Sequence, residues 1–314
     1  MDRGRSDPIV VRSACRWVAE RSATVHIAGE RIDDYAHALG AELERTHSTQ
    51  SCSDGSPVRR EQTAGFWLTL DAINFGSGWF PSLRKRAEPT GYRTIAAGVR
   101  RRFETEGHWT AAHLAKIGDG ELAHWLDQDA EHELIGLMAE SLRDLGANVQ
   151  RLYGSSFAGL VDSAQGSAIR LVETLALWRS FADFSTYDGR EIPFLKRAQL
   201  VAADLQRAGV ADFGDLEQLT MFPDNLVPHV LRLDGVLWFD PQLVARIEQG
   251  ELIEHGSPEE VEIRACAVHA VELLVAAAGS SGTTAAQIDE ILWNRGQAPG
   301  YKAVPRHRSR STAY

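Results

Sequence analysis

The sequence predicts an all-α protein: one globular domain, mostly helical, with at most a few short strands. Three observations predict it. Apolar residues recur at helical intervals through most of the 314 residues. Strand signals are few, with "TVHI" (24–27) and "GVLWF" (235–239) the best, beside one turn or short hairpin in "STYDGREIPF" around Asp188-Gly189. No linker or repeat divides the chain. The clearest flexible loop, "THSTQSCSDGSPVRR" (46–60), lies too near the N-terminus to bound a large first domain. A single domain over 1–314 follows, ending in a basic segment at 297–314.

The helices can be justified in order. "DPIVVRSACRWVAERS" offers Asp7 as a cap and Pro8 at the first helical position. In "IDDYAHALGAELE" the apolar positions Ile32, Tyr35, Ala36, Leu39 and Leu43 share a face. "EQTAGFWLTLDAINF" runs into the glycines of "GSGWFP". "TGYRTIAAGVRRRFE" and "ELIGLMAESLRDLGANVQRLY" are amphipathic. "SAIRLVETLALWRSF" places Ile169, Val172, Leu175, Ala176 and Trp178 along one stripe, and "FLKRAQLVAADLQRAG" stops at Gly209. "SPEEVEIRACAVHAVELLVAAAG" is the strongest helix. Ser257 and Glu260 have capping-box spacing, and apolar residues on most sides predict deep burial, with Glu262, Arg264, His269 and Glu272 inside or at the edge of that core. "TTAAQIDEILWNRG" starts at Thr283 or Thr284 and closes near Gly296.

Composition narrows the function classes. The formal charge is −10, from 33 basic and 43 acidic side chains. Phosphate neutralisation needs clustered Lys and Arg, so a large nucleic-acid footprint is disfavoured. A small anionic ligand in a local basic pocket fits. Cys15, Cys52 and Cys266 have neither metal-ligand nor redox spacing, which suits a reducing compartment. "MDRGRSDPIVV" lacks the apolar centre of a signal peptide, and no apolar run approaches the ~18 residues of a membrane span. The expectation is a soluble, cytoplasmic protein with no membrane partner.

Several catalytic signatures are missing: no phosphate-cradling Gly-Lys-Ser/Thr, no Gly-x-Ser-x-Gly elbow, no His-Glu-x-x-His. "HWLDQDAEHE" gathers His124, Asp127, Asp129, His132 and Glu133, a mixture that reads as a solvated helix end before it reads as a metal site. Four stretches carry more. In "LTLDAINFGSGWF", Asp71 and Asn74 precede Phe75, Trp79 and Phe80 among glycines; this is either a ligand wall or a helix end with an apolar plug. Lys196 and Arg197 open a helix, where cations oppose the macrodipole; they are either partners of an anion such as phosphate or an exposed, snorkelling pair. "LTMFPDNLVPHVLR" fixes Asp224 between Pro223 and Pro228 beside Phe222; the acid is either aimed at a ligand or a helix cap. Asp289 and Trp293 share a helical face, so Asp289 is either held in a shaped environment or exposed with Glu290. The basic end "HRSR" reads as a loose tail.

Taken in order, "LDAINFGSGWFP", "FLKRAQLVAADL", "LTMFPDNLVPHVL", "VEIRACAVHAVELL", "IDEILWN" and "HRSRSTAY" resemble the queuosine salvage protein family, the queuosine 5′-phosphate N-glycosylases. The resemblance covers roughly 60–314, more weakly the helices before it. It implies an all-helical fold similar to DNA glycosylases without their DNA-binding hairpin. It implies hydrolysis of queuosine 5′-phosphate and release of queuine, a 7-deazaguanine base, for transfer RNA modification. Asp289 matches the catalytic aspartate, Phe222 and Asp224 match base-recognition positions, and a family histidine matches best at His47. The chain departs from the family pattern at Pro223, Asn225-Leu226 and Asn294, which bears on the pocket's fine shape.

On this reading Asp289 stabilises, or attacks, a sugar carbon that becomes oxocarbenium-like, while Phe222 stacks on the base and Asp224 accepts from it. Asn74, Phe75 and Trp293 complete the wall. Lys196 and Arg197 are expected at the 5′-phosphate, as are His307 and Arg308 if the tail folds back. Water is the only co-reactant, so neither a metal nor a redox cofactor is implied. The partners expected are the nucleotide and free queuine, with no direct contact to nucleic acid. The alternative is a non-catalytic queuine- or queuosine-binding protein.

Overall fold

The computed structural model describes residues 8–46, 56–85, 90–279 and 282–314. Over these the chain forms α1 (Pro8–Ala19), α2 (Ile32–Thr46), α3 (Pro57–Ala72), α4 (Gly91–Glu106) and α5 (Ala111–Leu114). It continues with α6 (Asp119–Leu126), α7 (Glu133–Tyr153), α8 (Phe157–Ser163), α9 (Ala168–Ala176) and α10 (Lys196–Arg207). It ends with α11 (Val227–Leu233), α12 (Pro241–Glu248), α13 (Pro258–Ala278), α14 (Ala285–Arg295) and α15 (Pro299–Ala303). Strands β1 (Val25–Ile27), β2 (Phe184–Tyr187), β3 (Arg190–Pro193) and β4 (Leu237–Phe239) are short. The all-helical class therefore holds.

The strand signals find each other. "TVHI" and "GVLWF" become β1 and β4, an antiparallel pair in the register Val25↔Phe239, His26↔Trp238, Ile27↔Leu237. β2 and β3 form the hairpin, with Tyr187 opposite Arg190. Its two turn residues, Asp188 at φ 45° and Gly189 at φ 73°, both take positive φ, as a tight two-residue hairpin turn requires.

α13 is the central helix. α1, α2, α11 and α14 pack around it, and its residues from Glu260 to Val268 are buried throughout. Glu262 and Arg264 are inside the core; His269 and Glu272 are at its edge. Only half of the expected capping box forms. Ser257 Oγ accepts the Glu260 N–H, but the Glu260 carboxylate turns to the Gly256 N–H instead of the Ser257 amide. A second group centres on α3 and α7, with α4, α5, α6 and α8 around them, and α10 joins it by packing on α3.

Some boundaries differ from expectation. The loop assigned to 46–60 gives way to helix at Pro57, because a proline at the first helical position is already set for helix φ. Asp7, His47 and Cys52 lie outside the described residues. α14 begins after Thr284, whose side chain and that of Gln287 cap each other reciprocally. The acidic mixture around 124–133 is spent on helix ends: Asp127 closes α6 in a left-handed conformation, and His132 caps α7 by accepting the Leu134 N–H. The tail is not loose. Gly76 and Gly78 donate their N–H groups to the carbonyls of Tyr314 and Ser309, and the Ile253 N–H donates to the Arg308 carbonyl.

Candidate active site

Where the two helical groups meet there is a cavity of ≈ 240 Å³. Its walls come from segments far apart in sequence: the end of α3, the start of α4, one face of α10, the turn at 222–226, α14 and the tail. Asn74, Phe75, Lys196, Phe222, Asp224 and Asp289 all line it, and so does Trp293, which meets Tyr92 edge to face at 6.0 Å between ring centroids.

Asp289 sits on α14 with 6% of its surface exposed. Its Oδ1 accepts the backbone N–H of Phe222 at 3.0 Å. Burial pushes this carboxyl well above the ordinary carboxylate range, and the charge of Asp224 adds to the rise. The Phe222 amide and the Lys196 ammonium oppose it. Asp224 is a helix cap that also borders the cavity. Its Oδ1 accepts from the Leu226 and Val227 amides at 2.7 and 3.2 Å, capping the entry to α11, while the side chain still borders the cavity. That capping fixes the carboxylate's direction.

Lys196 is buried, against the exposed-pair reading. Its Nζ donates to the Asn74 carbonyl at 3.1 Å. Desolvation pushes its ammonium pKa down, while Asp224, Asp71 and Asp289 draw it up. The cationic start of α10 is offset by an anion after all, since the Lys196 N–H donates to Asp183 Oδ2 at 3.0 Å. Behind Lys196 lies Asp71, fully buried, with no hydrogen-bond partner for either carboxylate oxygen among the described residues. Burial and Asp204 raise its pKa well above the usual range. Asp204 borders the cavity, pairs with Arg207, and is pushed up to about 6 by burial.

Three residues expected at the ligand stand off the cavity. Arg197 is 1% exposed; it donates to the Ala72 carbonyl and stacks on Phe75 and Phe181 at 4.9 and 5.5 Å. Its guanidinium holds the wall from behind. The tail does fold back, but in a register that buries the His307 ring, while the His307 carbonyl accepts from Asn225 Nδ2 at 3.0 Å. Arg308 reaches away, to the Gly250 carbonyl. The tail brings Arg306 and Tyr314 to the cavity in their place, and α15 brings Lys302. Nothing in the tail's composition separates Arg306 from Arg308; only the docked register does. Arg207, Asp204 and Tyr92 were also missed. Asp204 and Arg207 repeat the Lys196 face of α10 about two and three turns further on, a signal that helical spacing does contain.

The family model described as "Queuosine salvage protein" matches residues 56–314. A Sphaerobacter thermophilus protein named queuosine 5′-phosphate N-glycosylase/hydrolase is 34% identical, over 98% of this chain and 98% of its own length. Proteins of the same name from Bos taurus and Dictyostelium discoideum are 29% and 28% identical, covering 96% and 97% of this chain and 98% of each relative. With the family match spanning every wall of the cavity and the similarity running almost end to end, this chain belongs to the queuosine salvage protein family.

Proposed function

We propose that this protein hydrolyses the N-glycosidic bond of queuosine 5′-phosphate and releases queuine for reuse in transfer RNA modification. The observation that carries the reading is the hydrogen bond from the Phe222 amide to Asp289 Oδ1. It joins the expected catalytic acid to the expected base-binding turn, 67 residues away in sequence, inside one cavity. The names of the relatives supply the substrate.

In this reading the sugar's anomeric carbon faces Asp289. As the bond from that carbon to the base nitrogen breaks, its electron pair leaves with the base and positive charge grows on the ribose. The Asp289 carboxylate stabilises that charge in a site of low dielectric. Water adds its oxygen to the anomeric carbon and loses a proton, and the departing base takes up a proton. A 7-deazapurine has carbon at position 7, so protonation there cannot assist departure, and the sugar-side carboxylate carries more of the work. Phe222 stacks on the base. Asp224, its Oδ1 taken by two amides, presents its other oxygen to the guanine-like N–H groups.

Arg306 and Lys302 are the cations we assign to the 5′-phosphate, supported by their place at the cavity. Arg306 Nε is buried and makes no hydrogen bond among the described residues. Arg197 and Arg308 are bonded elsewhere, and the His307 ring is buried off the cavity. Incubating the purified protein with queuosine 5′-phosphate and separating the products tests the reading. Free queuine is expected. Tight binding of queuine without its release would leave a binding protein instead.

A further inference from the structure

We propose that the buried Asp183–Arg264 pair is the positioning element of this active site, acting through the Pro223 carbonyl, the Lys196 amide and the Tyr314 ring. The inference rests on the hydrolase reading above.

Arg264 lies on α13, the helix at the centre of the fold, and is 0% exposed. Its Nη1 and Nη2 donate to Asp183 Oδ1 and Oδ2 at 3.0 and 2.7 Å, a two-pronged pair. Its Nε donates to the Pro223 carbonyl at 2.9 Å. Phe194 covers its flat face at 3.9 Å from the ring centroid, and the Tyr314 ring lies 4.6 Å from it. Asp183 Oδ2 also accepts the Lys196 N–H.

Three of these contacts, at Pro223, the Lys196 amide and Tyr314, end on something the cavity uses. Pro223 stands between Phe222 and Asp224, so holding its carbonyl orients the Phe222 amide toward Asp289 and aims both neighbouring side chains. The Lys196 amide opens α10 and so places Lys196. Tyr314 is, with Arg306, one of the tail's wall residues. A buried ion pair is weak evidence for stability, since packed apolar residues often serve as well. An apolar pair, however, could not bond a carbonyl and an amide in two cavity walls at once. The planar guanidinium fork supplies that geometry, and a lysine cannot reach all three acceptors together.

Arg264→Lys keeps a cation beside Asp183 and tests the role. If the 222–224 turn relaxes, kcat for queuosine 5′-phosphate falls by about 10–100-fold, the usual consequence of a small misplacement. The Phe222 amide also withdraws from Asp289. The charges that face Asp289 are Asp224 from the turn, Lys196 from α10 and Glu290 on α14 itself. With the amide gone, the remaining acids hold the carboxyl protonated to higher pH, and the acidic limb of kcat/KM moves upward. Glu262→Gln is the control on the same helix. Its carboxylate accepts from the Thr24 amide and the Tyr187 hydroxyl, so that variant should lower Tm and leave the limb in place. Should Arg264→Lys fail to fold, the isosteric Asp183→Asn, which keeps an oxygen for the Lys196 amide, is read in the same way. A folded variant with wild-type kcat and an unmoved limb overturns the proposal, as does a Glu262→Gln limb that moves equally. Absence of queuine release by the wild-type protein would instead overturn the hydrolase reading.

Discussion

Asp289 is held by one backbone amide among charges that pull its proton in opposite directions, and its titration follows. Its carboxyl is raised by burial and by Asp224. On the proposed mechanism catalysis needs the ionised form, so kcat/KM should climb with pH along a limb centred above the ordinary carboxylate range of about 4. A pH–rate profile whose limb lies at or below that value would contradict the assignment. Asp224→Ala removes a charged acceptor worth roughly 1.5–3 kcal/mol, so calorimetry should find the Kd for queuine roughly ten- to a hundred-fold weaker. Asp71 tests the buried wall. Its folded pKa is raised, so its contribution favours the folded state at low pH and is lost as pH climbs through the raised value. Asp71→Asn should therefore gain stability relative to wild type as pH rises from about 4, by up to about 1.4 kcal/mol per pH unit. Denaturant titrations at several pH values that show a constant gap would refute this. At this scale the legible residues were those in motifs with rigid neighbours: Asp224 between prolines, and Asp289 and Trp293 on one helical face. Arg306 and Tyr314 were not legible, because an aperiodic tail carries no register until it docks.

At the scale of elements, the tail is a wall of the cavity, and its docking depends on close backbone approach. A Cβ on Gly78 would lie 2.5 Å from the Ser309 carbonyl oxygen. Gly78→Ala should therefore push the tail outward, raise KM by loosening Arg306 and Tyr314, and increase proteolysis within 304–314. An unchanged KM with intact protection would show the tail to be dispensable. α14 depends on its reciprocal cap, and Thr284→Ala should cost about 1 kcal/mol of stability. Helix order and the hairpin were readable because period and turn chemistry are local: Asp188-Gly189 needs only its own backbone angles. The start of α3 was not, because "SP" signals both loop and helix entry. The pairing of β1 with β4 is a contact across more than two hundred residues, which local pattern cannot reveal.

Over the whole molecule, buried imidazoles contribute to the loss of stability in acid. His307 is pushed down to about 3 and His229 to about 4, both by burial. Both folded values lie below the unfolded value of about 6.5, so the unfolded chain binds more protons between them. That share of stability is present above about pH 6.5 and is lost as pH falls toward 3. Asp204 and Asp71 slope the opposite way, so the signature is clearest in His307→Gln, whose stability should depend less on pH across this window than that of wild type. The excess of acid, net −10, was legible from composition and fits a free nucleotide met by a local cluster of cations. The position of that cluster, between two helical groups, required the fold. The central claim is that Asp289 faces the anomeric carbon of a bound nucleotide. Its most direct test is queuine release from queuosine 5′-phosphate by wild type and by Asp289→Asn, a change that keeps an acceptor for the Phe222 amide. The account predicts turnover reduced about 10²–10³-fold with queuine affinity nearly retained; turnover by Asp289→Asn close to wild type would contradict it.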